Sequence, residues 1–98
     1  MAEVAFDSLV SGKPVAIEVD GVAVCLTRVD DEVFAVEDTC THSEASLSEG
    51  EVSGTKIECW LHGAEFDLRT GEALTPPATS ALKTFNVEVN GNQVVVTN

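Results

Sequence analysis

Residues 40–62, CTHSEASLSEGEVSGTKIECWLH, hold almost all of the metal-binding side chains of this 98-residue chain. The stretch begins with Cys40-Thr41-His42, a C-x-H pair, and ends with Cys59-Trp60-Leu61-His62, a C-x-x-H pair. The two pairs contain the only two histidines of the chain and two of its three cysteines. They therefore form one complete set of four metal ligands, two thiolates and two imidazoles.

Each pair mixes the two ligand types, and this mixing favours an iron–sulfur core over zinc. Common structural zinc sites pair cysteine with cysteine and histidine with histidine. A [2Fe–2S] core can instead take two cysteines on one iron and two histidines on the other. A zinc site with the ligands Cys40, His42, Cys59 and His62 remains an alternative. The third cysteine, Cys25, lies in the apolar run Val22–Leu26 and is predicted to be a small buried strand residue.

The charge of the chain restricts its partners. It has 17 acidic and 5 basic residues, a formal net charge of −12. Nucleic acid is excluded as a partner, because its binding depends on Lys and Arg meeting phosphates. No Lys or Arg occurs between Arg28 and Lys56, where the acidic residues are concentrated. This acidic stretch is either a solvated face that aids solubility or a surface that steers a basic partner.

The sequence also gives expectations about location. The start, Met1-Ala2-Glu3-Val4, has neither the basic nor the apolar part of a signal peptide. The apolar run Val22–Leu26 is too short to span a bilayer. Three cysteines do not make a disulfide framework. We therefore expect a cytoplasmic protein that does not enter a membrane.

The hydrophobic pattern is that of short strands joined by tight turns, with weak helical periodicity. We predict an all-β fold, a small antiparallel sandwich or barrel, as one domain over residues 1–98. Asp20-Gly21, Asp30-Asp31 and Asn90-Gly91 are the predicted turns. One short helical turn is expected near residues 6–10. The predicted strands are Val15–Val19, Val22–Arg28, Glu32–Val36, Thr84–Val89 and Gln93–Thr97.

A different segment, at about residues 38–79, separates these strands and holds all four candidate ligands. It is rich in Ser, Gly, Thr and Pro, with short strands expected at Lys56–Cys59 and Glu65–Leu68. The sequence Leu68-Arg69-Thr70-Gly71 is typical of a tight turn that closes a hairpin. We interpret the whole segment as a cluster-binding subdomain inserted into the β scaffold.

The ligand pairs and their surroundings resemble bacterial Rieske-type ferredoxins. The resemblance rests on CTH at 40–42, CWLHG at 59–63, FDLRTG at 66–71 and PPA at 76–78, and it extends over nearly the whole chain. Those proteins are small soluble carriers that pass electrons from a flavin reductase to the terminal oxygenase of ring-hydroxylating dioxygenase systems. The resemblance implies one Rieske-type [2Fe–2S] cluster and no catalytic residue in the chain itself.

The resemblance also assigns residue roles. It implies that Cys40 and Cys59 bind the inner iron, and that His42 and His62 bind the outer, more exposed one. It also implies roles around the cluster: the Gly63 backbone N–H approaches it, Trp60 is an apolar shield, and Pro76 and Pro77 belong to a loop that covers it.

Four positions differ from the high-potential Rieske proteins of cytochrome bc complexes. Ala45 and Leu61 stand where those relatives have a disulfide. Ala64 and Phe66 stand where those relatives have a Ser and a Tyr whose hydroxyls donate to the cluster sulfur and to the first ligand cysteine. Because hydrogen bonds to sulfur stabilise the reduced state, their loss predicts a low reduction potential.

Three functions fit the sequence. The first is a monomeric electron carrier whose partners, a flavin-dependent ferredoxin reductase and a terminal non-haem iron oxygenase, have basic docking surfaces. The second is a Rieske-like small subunit of a larger reductase. The third is a zinc-stabilised interaction domain with two Cys and two His ligands.

Overall fold

The computed structural model describes residues 2–39, 46–59, 64–74 and 81–97. Over these ranges the chain forms nine β-strands and no α-helix, with single 3₁₀ turns at Phe6–Ser8 and Leu47–Glu49. The first of these turns lies where a helical turn was expected. The strands are β1 (Ala2–Ala5), β2 (Val15–Val19), β3 (Val22–Val29), β4 (Glu32–Glu37), β5 (Glu51–Ser53), β6 (Lys56–Glu58), β7 (Glu65–Asp67), β8 (Asn86–Asn90) and β9 (Gln93–Thr97).

The nine strands form three antiparallel sheets of three strands each, in the orders β1-β9-β8, β2-β3-β4 and β5-β6-β7. The predicted all-β, antiparallel fold is confirmed. The third sheet lies inside the segment 38–79, which was interpreted as an insertion. The limits of that subdomain, and of one domain over 1–98, stay predictions.

The sheet β2-β3-β4 lies between two apolar cores, and alternate residues of its strands point into each. On β3, Cys25 enters one core, while its neighbours Val24 and Leu26 enter the other. On β4, Val36 enters the same core as Cys25, and Ala35 enters the same core as Val24 and Leu26. This alternation follows from the two-residue period of a strand, and it explains why the middle of β3 is buried on both faces.

We name the two cores by their contents. The valine core joins the middle sheet to β1-β9-β8 and consists of Leu9, Val19, Val24, Leu26, Ala35, Phe85, Val94 and Val96. The cysteine core joins the middle sheet to β5-β6-β7 and consists of Cys25, Val36, Leu47, Ile57, Cys59, Ala64, Phe66, Leu68 and Leu82. The buried position predicted for Cys25 is confirmed, since none of its surface is exposed.

The turns predicted at Asp20-Gly21 and Asp30-Asp31 close hairpins. The turn predicted at Asn90-Gly91 lies one residue later, since Asn90 pairs with Gln93. Val19 pairs with Val22, which leaves Asp20 and Gly21 as the central residues, with φ of 52° and 82°. Positive φ at both positions is typical of the type I′ turn, whose twist matches that of the flanking strands. Asp30, with φ of 54°, begins the equivalent turn between β3 and β4.

Two strands were missed by the sequence prediction, and one boundary is displaced by two residues; the other boundaries agree to within one residue. Strands β1 and β5 were not predicted. The strand predicted over Thr84–Val89 changes partners along its length. Its first two residues contact β4, because Thr84 bridges Val36 and the Phe85 N–H donates to the Ala35 carbonyl. The observed strand β8 begins at residue 86 and pairs with β9. The chain thus passes from the middle sheet to the outer one near Phe85.

No helix within the described parts of the chain has the length and apolar character needed to cross a membrane.

Candidate metal centre

The segment that contains Cys40 and His42 is held at both of its ends. Thr39 and Ser46, which flank residues 40–45, form an isolated antiparallel bridge. Beside this bridge, the Leu47 N–H donates to the Asp38 carbonyl at 2.6 Å and the Ser48 N–H donates to Asp38 Oδ1 at 2.8 Å. The chain therefore returns to its starting point within this short segment, which is the geometry a ligand loop requires.

The segment that contains His62 is held in the same manner. The register of β6 and β7 pairs Glu58 with Glu65, and the next pair is Cys59 with Ala64, whose carbonyl accepts the Cys59 N–H at 2.7 Å. Residues 60–63 therefore connect two paired residues. Cys59 has no exposed surface.

The residues on either side of a third segment, residues 75–80, are also fixed by backbone hydrogen bonds. The Leu74 N–H donates to the Glu65 carbonyl at 2.8 Å, and the Leu82 N–H donates to the Gly71 carbonyl at 2.7 Å. At the end of β7, the Gly71 N–H donates to the Asp67 carbonyl at 2.7 Å and closes the turn at residues 67–71. The tight turn predicted at Leu68–Gly71 is confirmed.

The flanks of all three segments meet in the cysteine core. Leu47 follows the first segment, Cys59 and Ala64 flank the second, and Leu82 lies just after the third; all four are buried there. Tertiary packing, and not only local hydrogen bonding, therefore brings the ends of the ligand segments together.

Of the predicted ligands, Cys59 is the one that the structure describes. The other predicted site residues lie outside the described ranges, and so do two of the positions compared with the high-potential relatives: Cys40, His42, His62, Trp60, Gly63, Pro76 and Pro77, together with Ala45 and Leu61. The other two compared positions, Ala64 and Phe66, are described and have no exposed surface.

Cys25 lies in the cysteine core with Cys59 and is not among the predicted ligands. Burial raises the pKa of the Cys25 thiol from 9.0 to about 12. A hydrogen bond with Thr27, with 3.7 Å between the sulfur and the hydroxyl oxygen, opposes this rise, and the charge of Asp38 adds to it. Because metal ligation needs a thiolate, Cys25 is suited to packing and not to ligation.

Two residues that the sequence did not single out position the site. Asp38 accepts hydrogen bonds from the residues beyond the first ligand segment, as described above. Gly50 lies so close to β6 that a Cβ atom there would overlap the Glu58 carbonyl oxygen. Its φ is −86°, so the need for glycine comes from this close approach and not from the backbone angle. Neither role has a local sequence signal, because both depend on tertiary contacts.

The outer face of the β5-β6-β7 sheet carries a row of like charges. Glu51 pairs with Glu58, and Glu58 pairs with Glu65, so three glutamates stand side by side across three strands. The row is next to the Cys59–Ala64 pair. Like charges directly opposite each other destabilise a sheet, so this row reduces the stability of the sheet at the end where the ligand segments begin.

Sequence comparison identifies the family. A profile of the Rieske [2Fe-2S] domain matches residues 2–86. The chain belongs to the Rieske [2Fe–2S] domain family. Its cofactor is one Rieske-type [2Fe–2S] cluster.

Three relatives match this Rieske domain along most of their length. The ferredoxin component of the naphthalene 1,2-dioxygenase system of Pseudomonas putida is 36% identical, over 95% of this chain and 89% of the relative. The solved ferredoxin of carbazole 1,9a-dioxygenase from Nocardioides aromaticivorans has a TM-score of 0.94 and is 35% identical, covering 96% of this chain and 92% of that one. A ferredoxin solved in complex with the oxygenase of carbazole 1,9a-dioxygenase has a TM-score of 0.90 and is 39% identical, covering 95% of this chain and 87% of that one.

The donor types in the sequence and the described flanks of the ligand segments fit such a cluster. Two thiolates and two imidazoles are the donor set of a Rieske centre. Cys59 lies at a fully buried position beside a strand pair, where a charged thiolate needs a compensating cation. The first and second ligand segments have paired flanks that meet in one core. This arrangement would allow both segments to contribute ligands to one cluster.

Proposed function

We propose that this Rieske domain is a soluble, cytoplasmic one-electron carrier, active as a monomer, that passes electrons from a flavin-dependent reductase to a terminal non-haem iron oxygenase. Cys40 and Cys59 are the proposed ligands of the inner iron, and His42 and His62 those of the outer iron. When bound, the cluster supplies reversible one-electron transfer at an iron that neutral imidazoles make easier to reduce. The chain holds the cluster, shields it and presents one side to its partners.

The observation that carries the proposal is the anchoring of both ligand segments on one buried core. Paired flanks at Thr39/Ser46 and Cys59/Ala64 preorganise the two segments, so little rearrangement should accompany a change of one electron. The near full-length similarity to ferredoxin components of dioxygenase systems supports a carrier role.

The experiment that tests the proposal is analysis of the purified protein. We expect two irons and two acid-labile sulfides per chain, uptake of one electron in a coulometric titration, and an EPR signal that appears on reduction. The reduced protein should then be oxidised by a terminal oxygenase. One zinc per chain without sulfide would support the zinc-stabilised domain. A stable complex with a large reductase on co-expression would support the small-subunit alternative.

We expect the glutamate row to assist docking to a basic partner surface. Replacing Glu58 with Gln removes the central charge of the row, so electron transfer from the reductase should become slower at low salt and less sensitive to salt. Exposed charges are screened beyond about 8 Å at physiological ionic strength. The variant should also be slightly more stable, by up to about 1 kcal/mol for each relieved like-charge pair.

Stopped-flow rates as a function of salt concentration would measure the effect of Glu58→Gln. Glu88→Gln is the matched control, because Glu88 is also an exposed strand glutamate, but it lies on β8 in the sheet beyond the valine core. An equal slowing of both variants, or a wild-type rate that does not fall with salt, would contradict a docking role for the row.

We propose further that the reduction potential is low for a Rieske centre, since Ala64 and Phe66 offer no hydroxyl. Ala64→Ser should raise the potential by roughly 40 mV if the new hydrogen bond strengthens by about 1 kcal/mol on reduction. Ala73→Ser is the control, because Ala73 packs against the same core and bridges Phe66 without flanking a ligand segment. Voltammetry that finds no rise, or the same rise in both variants, would remove the basis for the low potential.

A further inference from the structure

Asp38 is a buried carboxylate beside the first ligand segment. Only 4% of its surface is exposed, and it is the single buried acidic residue in the parts of the chain that the structure describes. The other described acidic residues are exposed or half-exposed, where solvent and salt screen their charge. The charge of Asp38 is screened much less, so it contributes to the local field out of proportion to its share of the net charge of −12.

Hydrogen bonds fix Asp38 on three sides. Its N–H donates to the Ala23 carbonyl at 3.0 Å, which ties it to β3. Its carbonyl accepts the Leu47 N–H at 2.6 Å, and its Oδ1 accepts the Ser48 N–H at 2.8 Å. The backbone of Asp38 is therefore held by β3 and by Leu47, and its carboxylate is held by the Ser48 N–H, on the far side of residues 40–45.

The covalent chain limits how far Asp38 can be from the ligands. Two residues of extended chain span at most about 7 Å, so the Cα atoms of Asp38 and Cys40 are no farther apart than that. The field of Asp38 also reaches the cysteine core, because it contributes to the raised pKa of the Cys25 thiol. Cys59 lies in that same core.

We propose that Asp38 is a positioning residue that also lowers the reduction potential of the cluster through its buried charge. Reduction adds one negative charge to the cluster, and a fixed negative charge nearby disfavours that addition. Removing the charge while keeping the hydrogen bonds should make the cluster easier to reduce. This inference rests on the proposed ligand set and adds a residue that is not itself a ligand.

Asp38→Asn separates charge from hydrogen bonding, because the amide oxygen can still accept the Ser48 N–H. We expect it to retain its iron and to show a higher midpoint potential than the wild type in voltammetry. Glu37→Gln is the matched control. Glu37 is adjacent and only half-buried, and its Oε1 accepts the Lys83 N–H at 2.9 Å in the same manner. The control should shift the potential clearly less.

A second neutral variant, Asp38→Ser, also keeps an oxygen acceptor near Ser48 and should shift the potential in the same direction. A shift in potential no larger than that of Glu37→Gln would overturn the proposal. Loss of the cluster from both neutral variants would also overturn it, because the charge would then be needed to retain the cluster and not to set its potential. A wild-type protein without iron and sulfide would overturn the proposed function as well. A wild-type cluster whose potential ignores Asp38 would overturn the role of Asp38 alone.

Discussion

A Cys59→Ala variant is expected to lose the [2Fe–2S] cluster, with iron content falling below about a tenth of the wild-type value. The substitution removes one of the two proposed ligands of the inner iron, and an incomplete ligand set does not retain the metal. Because metal binding is coupled to folding, the melting temperature should fall with the cluster. Iron and sulfide analysis and visible absorption measure the loss of the cluster, and circular dichroism measures the fall in melting temperature.

Cys25→Ala is a closely matched control for this experiment. Cys25 and Cys59 are both fully buried in the cysteine core, so each substitution removes one buried sulfur atom. Burial raises the pKa of the Cys25 thiol to about 12, and Cys25 is not among the four proposed ligands. Cys25→Ala should therefore keep the cluster and lose only packing energy, about 1 kcal/mol or a few degrees of melting temperature.

The difference between the two variants isolates ligation from packing. If Cys59→Ala retained iron and sulfide at the wild-type level, Cys59 would not be a ligand and the proposed set of four would be wrong. If Cys25→Ala lost the cluster as fully as Cys59→Ala, the two cysteines would not differ in role, and the distinction drawn from the raised pKa of Cys25 would fail.

The strand pattern was predictable wherever the sequence itself contains the signal. β2 and β9 have the predicted bounds, because β-branched residues there are limited by turn residues such as Asp20-Gly21. β1, with the sequence AEVA, and β5, with EVS, lack that signal. Each is a strand because a neighbour pairs with it: β9 pairs with β1, and β6 pairs with β5. Tertiary pairing outweighs weak intrinsic preference in both cases.

The candidate site divides in a similar way. The four ligands could be proposed from sequence, since their chemistry depends on residue type and spacing, and that set stays a prediction. The residues that position them were not. Asp38 looked like one of many acidic residues, and its burial depends on Ala23 and on the 3₁₀ turn at Leu47–Glu49. Gly50 looked like an ordinary loop glycine, and its importance depends on how closely β6 approaches it.

A Gly50→Ala variant should be strongly destabilised, although the substitution adds only one methyl group. The new Cβ would overlap the Glu58 carbonyl oxygen and would lie 3.2 Å from the Leu47 carbonyl oxygen. Both contacts are with backbone atoms, so no side-chain rotation can relieve them. Either the turn at Leu47–Glu49 or the end of β6 must move. Overpacking of this kind costs about 3 kcal/mol, which corresponds to roughly 15 °C in melting temperature for a domain of this size.

Displacement at this point should also affect the metal centre. Glu58 precedes Cys59, and Leu47 follows the first ligand segment, so the clash affects the flanks of both segments. Gly54→Ala is the control, because Gly54 has a φ of +59° but nothing within 4 Å of its Cβ position. It should cost only the backbone strain of a left-handed alanine, about 1 kcal/mol, with normal cluster retention.

Thermal melting and the rate of cluster bleaching would be measured for both glycine variants. We expect Gly50→Ala to melt well below Gly54→Ala and to lose its visible absorption several-fold faster, because its effect combines steric overlap with displacement of Cys59. Equal melting temperatures would mean that backbone angle and not close approach decides the cost. A destabilised Gly50→Ala that bleached at the wild-type rate would show that the position of β6 does not control the ligand segments, and that the cysteine core alone holds them in place.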